Sequence, residues 1–273
     1  MIRLLSRLFR PRLALLNGVA ATAGYLLHPA ALETSPLVAA FCGVALLAAG
    51  GSAINQVLER DLDRLMERTR ERPLPRGDMT APTATFLGCA AILGGVALLG
   101  AAGGPLPAFL GGAALAWYLA VYTPLKRRTP FALLIGALCG ALPPIIGWCL
   151  AGGNPADYRV MLLSGLLYLW QAPHFWLLQR RHETDYRQAG LPLFGMRRTG
   201  ADLAAFFRIW IFALVAASSL LPAFGIVAPH MAFWDALFPL PLLVMTTLRF
   251  ESMLFSYLNL FPIMVTAILL VQK

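Results

Sequence analysis

Charge is scarce in this sequence: Asp, Glu, Lys and Arg make up 13% of it, and the acidic residues number only 13. A soluble domain carries about 25% charged residues. A hydrophobic share of 59% and a mean hydropathy of +0.69 therefore exclude an ordinary water-soluble fold. Cysteine is scarce as well. Cys42, Cys89, Cys139 and Cys149 all fall in apolar stretches with no Cys-x-x-Cys pair. That pattern argues against a zinc site or a disulfide framework and for small buried hydrophobes. What the chain has in excess is basic charge, 22 Lys and Arg for a net charge of +9. Nucleic acid does not account for it, because the basic residues punctuate one side of a series of apolar runs.

About nine of those runs approach the roughly 17 to 25 residues that one helix needs to cross a bilayer: 13–32, 36–58, 81–101, 105–123, 130–151, 159–178, 203–226, 231–248 and 254–271. They predict an all-α, polytopic membrane helical bundle of about nine transmembrane helices. It forms a single domain over 1–273, with motif loops at about 55–80 and 178–200. The eighth run is the weakest, since Pro239 and Pro241 interrupt it. Arg3, Arg7, Arg10 and Arg12, the arginines of 60–76, Lys126 to Arg128, Arg180, Arg181, Arg187, Arg197, Arg198, Arg208 and Arg249 fall on one side; Arg159 and Lys273 fall on the other. The positive-inside rule then puts the N-terminus in the cytoplasm and, with nine spans, the C-terminus outside the cytoplasmic membrane. The basic start and Ala21-Thr22-Ala23 imitate a signal peptide, but the apolar run from Leu13 is too long for one and is expected to stay.

The stretch Asn55 to Gly77, NQVLERDLDRLMERTRERPLPRG, sets carboxylates among arginines at the end of the second run. On a continuing helix, a step of about 100° per residue puts Glu59 about 40° and Asp63 about 80° from Asn55, on one face, while Asp61 points away at about 240°. Charged groups at a membrane boundary are costly and usually face a polar cavity, so this face reads as a metal and diphosphate site. Tyr122 to Thr129 adds Lys126 and Arg127 on the same side, a clamp for the charge on a leaving phosphate. The sixth run ends in Trp170-Gln171-Ala172-Pro173-His174-Phe175-Trp176, and the loop beyond it carries Glu183 and Asp185. At i and i+2 these two acids point to opposite faces of a helix. His182 reads as loop surface, Arg10 and Arg12 as interfacial anchors, and the third, fourth and seventh to ninth runs as packing scaffold.

These residues resemble the UbiA-type intramembrane prenyltransferases, and within them the haem O synthase branch. The motifs that carry the resemblance are Asn55, Glu59, Asp61, Asp63, Arg68-Thr69 and Arg72-Pro73; Tyr122 to Thr129; Gly140 to Trp148; Pro173 to Trp176; and Asp185 to Pro192. They run in order over residues 10–192. Glu59 stands where the family usually has Asp, Arg181 where the wider superfamily has an acid, and Leu193-Phe194-Gly195 where it has Met-Leu-Pro. The resemblance implies farnesyl transfer from farnesyl diphosphate to a vinyl group of haem B (protohaem IX), with water added, giving haem O and diphosphate. It implies Mg²⁺ held by Asn55, Glu59, Asp63 and Asp185, with Arg68, Arg72, Tyr122, Lys126, Arg127 and His174 binding substrates. The lipid bilayer and a haem A synthase or terminal-oxidase assembly factors are the expected partners. Transfer to a quinone precursor or chlorin, a transporter, and a non-catalytic haem-binding protein stay open as alternatives.

Overall fold

The computed structural model describes residues 1–193 and 200–273, with nothing described of the side chains of 200–204. Phe194, Gly195, Arg197 and Arg198 lie outside the described residues. Every regular element among the described residues is helical, with no strand. A short amphipathic helix, α1 (Ile2–Phe9), precedes α2 (Pro11–Leu27), whose N1 proline suits a helix start. Then come α3 (Thr34–Leu58), the short α4 (Arg60–Leu65) and α5 (Pro73–Arg76), and the long α6 (Ala81–Gly103) and α7 (Pro105–Leu125). They are followed by α8 (Ala132–Leu150), α9 (Tyr158–Arg181), α10 (Glu183–Gln188), α11 (Gly200–Ser219), α12 (Ala232–Leu237), α13 (Leu240–Thr247) and α14 (Glu251–Val271).

Helix occupies each of the expected apolar runs, and α3, α6, α7, α8 and α14 are long and apolar enough to cross a membrane by length and composition. The differences lie at the ends. The first run stops at Leu27 rather than residue 32, because His28 is extended (φ −67, ψ 135) ahead of Pro29. The seventh stops at Ser219 and passes into a 3-10 turn at Pro222–Phe224. The eighth is split into α12 and α13 beside Pro239. Arg159 and Lys273, expected apart from the other basic residues, sit together. Arg159 lies over Trp148 at 5.0 Å, His28 contacts the same ring at 4.7 Å, and Lys273 Nζ donates to His28 O at 2.6 Å.

Small residues bring backbones into direct contact, the main source of helix association where lipid removes the hydrophobic drive. A Cβ on Gly50 of α3 would stand 2.6 Å from Gly88 O of α6, and one on Gly24 of α2 only 1.8 Å from Pro144 O of α8. Gly147 returns that second contact, 1.8 Å from Ala21 O. Between α6 and α7 the turn is one residue, Gly104, with φ 75 and ψ −165, a region open essentially to glycine. The sequence Trp117–Tyr122 within α7 is π-helical, so one extra residue is taken into its turn.

Candidate active site

Helix α3 ends at Glu59, whose φ of −114 and ψ of 19 break the rod. The hydrogen bonds Glu59 N to Asn55 O (3.0 Å) and Asp63 N to Glu59 O (2.9 Å) nevertheless carry the helical spacing across the break. Asn55, Glu59 and Asp63 consequently line one cavity of about 280 Å³, together with Arg68, Arg72, Tyr122 and Lys126. Its inner wall is apolar: Val44, Leu47, Gly111, Leu115, Pro143 and Ile146.

Each acid at the mouth has a defined environment. Glu59, 3% exposed, accepts Asn55 Nδ2 at 2.9 Å and the Lys126 ammonium, both on Oε2. Its Oε1 is buried with no protein partner. Asp63, 4% exposed, accepts Arg72 Nη1 on both oxygens at 2.8 and 2.7 Å. Thr69 Oγ1 donates to the Asp63 carbonyl at 3.0 Å, closing the loop that presents Arg68. Asn55 is held in turn by Thr123, whose hydroxyl lies 2.9 Å from both Asn55 Oδ1 and Tyr118 O, one proton serving the two. Burial pulls the Lys126 ammonium below its ordinary pKa, and Glu59 opposes that shift.

Three expected residues are placed elsewhere. Asp185 is buried, but its oxygens accept the backbone N–H groups of Glu67 and Arg68, each at 3.1 Å, so it fixes the wall of the mouth. Arg127 lies outside the cavity wall, paired with the outward-pointing Asp61 at 2.9 and 3.0 Å. That pairing holds the Asp61 carboxyl below the usual range. His174 of α9 does not line the cavity; it is stacked between Trp170 (5.0 Å) and Phe255 (5.3 Å), with Nδ1 buried and unpartnered. Glu183 is spent on Arg187 at the surface.

Arg10, read from the sequence as an interfacial anchor, lines the mouth. It is a non-glycine residue at φ 49, a conformation fixed by how α1 docks. Gln56 Nε2 donates to the last carbonyls of α1, Arg7 O at 3.2 Å and Leu8 O at 2.7 Å. Burial and the nearby Arg72 and Arg68 depress the Arg10 pKa, in that order. Tyr118, Tyr186, Ser52 and Gln171 also line the cavity. The available signal was weak: Gln56 adjoins Asn55, and Arg10 directly precedes the helix-starting Pro11.

Among the described residues no three His, Cys, Asp or Glu side chains converge. Magnesium asks for less: hard oxygen ligands, usually one or two carboxylates, the rest from waters and substrate phosphates. The free Oε1 of Glu59, the Asp63 carboxylate and Asn55 on one wall fit that demand. Four cations against two acids at the mouth favour a polyanionic ligand.

Comparison with known proteins adds to this geometry. The model of the UbiA prenyltransferase family matches residues 17–258. A protoheme IX farnesyltransferase of Geobacter sulfurreducens is 63% identical over 96% of this chain and 97% of its own. One from Oleidesulfovibrio alaskensis is 42% identical over 84% and 80%. Among solved structures, an apo UbiA homologue from Aeropyrum pernix superposes with TM-score 0.75 at 24% identity, covering 95% of this chain and 97% of that one. A UbiA homologue from Archaeoglobus fulgidus bound to GPP and Mg²⁺ superposes with TM-score 0.73 at 15% identity, covering 98% of each.

Proposed function

Because the chain belongs to the UbiA prenyltransferase family and is therefore an integral membrane protein with several apolar helices, we propose that it makes haem O: the farnesyl group of farnesyl diphosphate is transferred to a vinyl group of haem B, water is added, and diphosphate leaves. The observation that carries this reading is one cavity with an acid-and-cation mouth and an apolar interior, which matches a diphosphate head and an isoprenoid tail.

Glu59 Oε1, Asp63 and Asn55 would hold Mg²⁺ against the diphosphate, and the ion would supply charge neutralisation of the leaving group. Arg10, Arg68, Arg72 and Lys126 hold the diphosphate oxygens, with charge-assisted hydrogen bonds as the C–O bond lengthens. Thr123 keeps the Asn55 amide turned so that its nitrogen donates to Glu59. Asp185 acts by fixing the backbone that presents Arg68, with its carboxylate as a further oxygen donor when that loop opens, and Arg127 braces the outside of the same mouth through Asp61. The apolar walls keep bulk water from the allylic cation until the vinyl group has reacted. His174, with its unpartnered Nδ1 and next to the cavity-lining Phe175 in sequence, serves the haem. The whole chain works as one domain in the cytoplasmic membrane, N-terminus in the cytoplasm, with a haem A synthase or oxidase assembly factors as the downstream class of partner.

The test is purified protein with haem, farnesyl diphosphate and Mg²⁺, read by mass spectrometry. A haem gaining farnesyl plus water, with release of diphosphate, is the expected outcome. Diphosphate release with no modified haem would move the acceptor to another compound, and neither product would overturn prenyl transfer altogether.

A further inference from the structure

Hydroxyls in the helices of this bundle mostly turn back onto their own backbone. Thr22 donates to Gly18 O (3.0 Å), Thr246 to Leu242 O (2.6 Å), Ser256 to Ser252 O (3.0 Å) and Thr266 to Pro262 O (2.7 Å). Ser52 of α3 does not. Its Oγ is buried without a partner, the residue is 2% exposed, and it lines the cavity. A buried hydroxyl left unpaired costs about 1–3 kcal/mol, so such a group usually meets a ligand or an ordered water. Ser164 and Ser218 share the unpaired state but do not line the cavity.

Its depth defines the ligand. Ser52 stands three residues before Asn55, about 4.5 Å further from the mouth along α3. A diphosphate held at Asn55 and Glu59 therefore brings the first carbon of its isoprenoid to the level of Ser52. We infer that Ser52 positions the water that completes the product, holding it beside the carbon that becomes cationic after farnesyl transfer.

This role rests on the haem O reading above. The C–O bond of farnesyl diphosphate breaks and its electron pair leaves with the diphosphate. The vinyl π pair forms the new C–C bond from the terminal vinyl carbon to the farnesyl C1, which leaves the inner vinyl carbon cationic. A lone pair of the water closes on that carbon, and the water's proton passes to a diphosphate oxygen. Ser52 Oγ and the diphosphate are thus the two polar partners that an ordered water needs as a minimum. Without a positioned water, the same cation loses a proton from the adjacent new CH₂ and ends as an alkene, lighter than haem O by one water.

The experiment compares wild type, Ser52→Ala, Ser52→Gly and Ser52→Thr in full-length protein, with haem, farnesyl diphosphate and Mg²⁺, by mass spectrometry of the haem products. Ser52→Ala and Ser52→Gly should keep farnesyl transfer while raising the alkene-to-hydrate ratio about tenfold, near the upper worth of one hydrogen bond. Ser52→Thr should restore the hydrate. Hydrated product alone from both truncations, or truncations that stay folded yet transfer no farnesyl, would overturn the assignment. A wild type that makes no farnesylated haem overturns the transfer reading itself, a result distinct from either.

Discussion

Replacing Lys126 by Met leaves the Glu59 carboxylate buried with one hydrogen bond, from Asn55, and no cation. Breaking a buried ion pair from one side costs about 3–5 kcal/mol, because the remaining charge is stranded. The Lys126 side chain is 25% exposed and the Glu59 side chain 3%, so water reaches one partner and the lower end, about 3 kcal/mol, applies. The opposite truncation is milder. Glu59→Gln leaves a lysine that can turn to solvent, at about 1 kcal/mol. The double variant Lys126→Met with Glu59→Gln removes both charges and should return to within about 1 kcal/mol of wild type. Its activity should not return, because a metal-holding oxygen and a cation at the leaving group are both gone, a loss of about 10²-fold or more. Unfolding titrations in mixed micelles and product assays on the same preparations separate the two effects. If Lys126→Met unfolds like wild type, or if the double variant is as unstable as Lys126→Met, the stranded-charge argument fails.

Arg10→Ala should raise the KM for farnesyl diphosphate, and Gln56→Ala should raise it too by freeing α1, with faster protease cleavage around residues 9–12 in the second variant only. Gly104→Ala should cost about 1–3 kcal/mol, since its φ and ψ suit glycine, while activity per folded molecule stays the same. Asp157 caps α9 and pairs with Arg159, whose hydrogen bonds pull its carboxyl down to about 2 from 3.8. Because the folded value is the lower one, its stabilisation is present above pH 3.8 and lost as pH falls through about 2. The stability gap between wild type and Asp157→Ala, about 1 kcal/mol at pH 6, should therefore close over that window in thermal scans. His174→Ala should shift the Soret band of bound haem without changing Mg²⁺-dependent farnesyl diphosphate binding. A lower melting temperature with an unaltered spectrum would assign His174 to packing between Trp170 and Phe255.

The alignment of Asn55, Glu59 and Asp63 was legible because it depends on helical spacing alone, and the backbone hydrogen bonds keep that spacing even where Glu59 leaves helical angles. Asp61 turns outward for the same reason. The interruption of the eighth run was equally local, written in Pro239 and Pro241. Arg10 was not legible, since its left-handed backbone follows from α1 docking on Gln56, a contact between residues 48 positions apart. Nor was the backbone partnership of Asp185, whose acceptors face N–H groups 118 and 117 positions earlier. Residue type announces a carboxylate; it does not announce that the donors will be amides of a loop.

The wide turn at Trp117–Tyr122 lets α7 answer to two neighbours at once. Its first half must face its small residues toward α3, where Gly111 meets Leu47. Its last residues must deliver Thr123 to Asn55 and Lys126 to Glu59. A uniform helix has a single angular setting, so any substitution that improved the seam with α3 by rotation would swing the ammonium off its carboxylate. The residue absorbed in the turn acts as a coupling with slack in it. Small adjustments of the seam with α3 upstream can then be taken up in the turn while the groups at the mouth keep their aim.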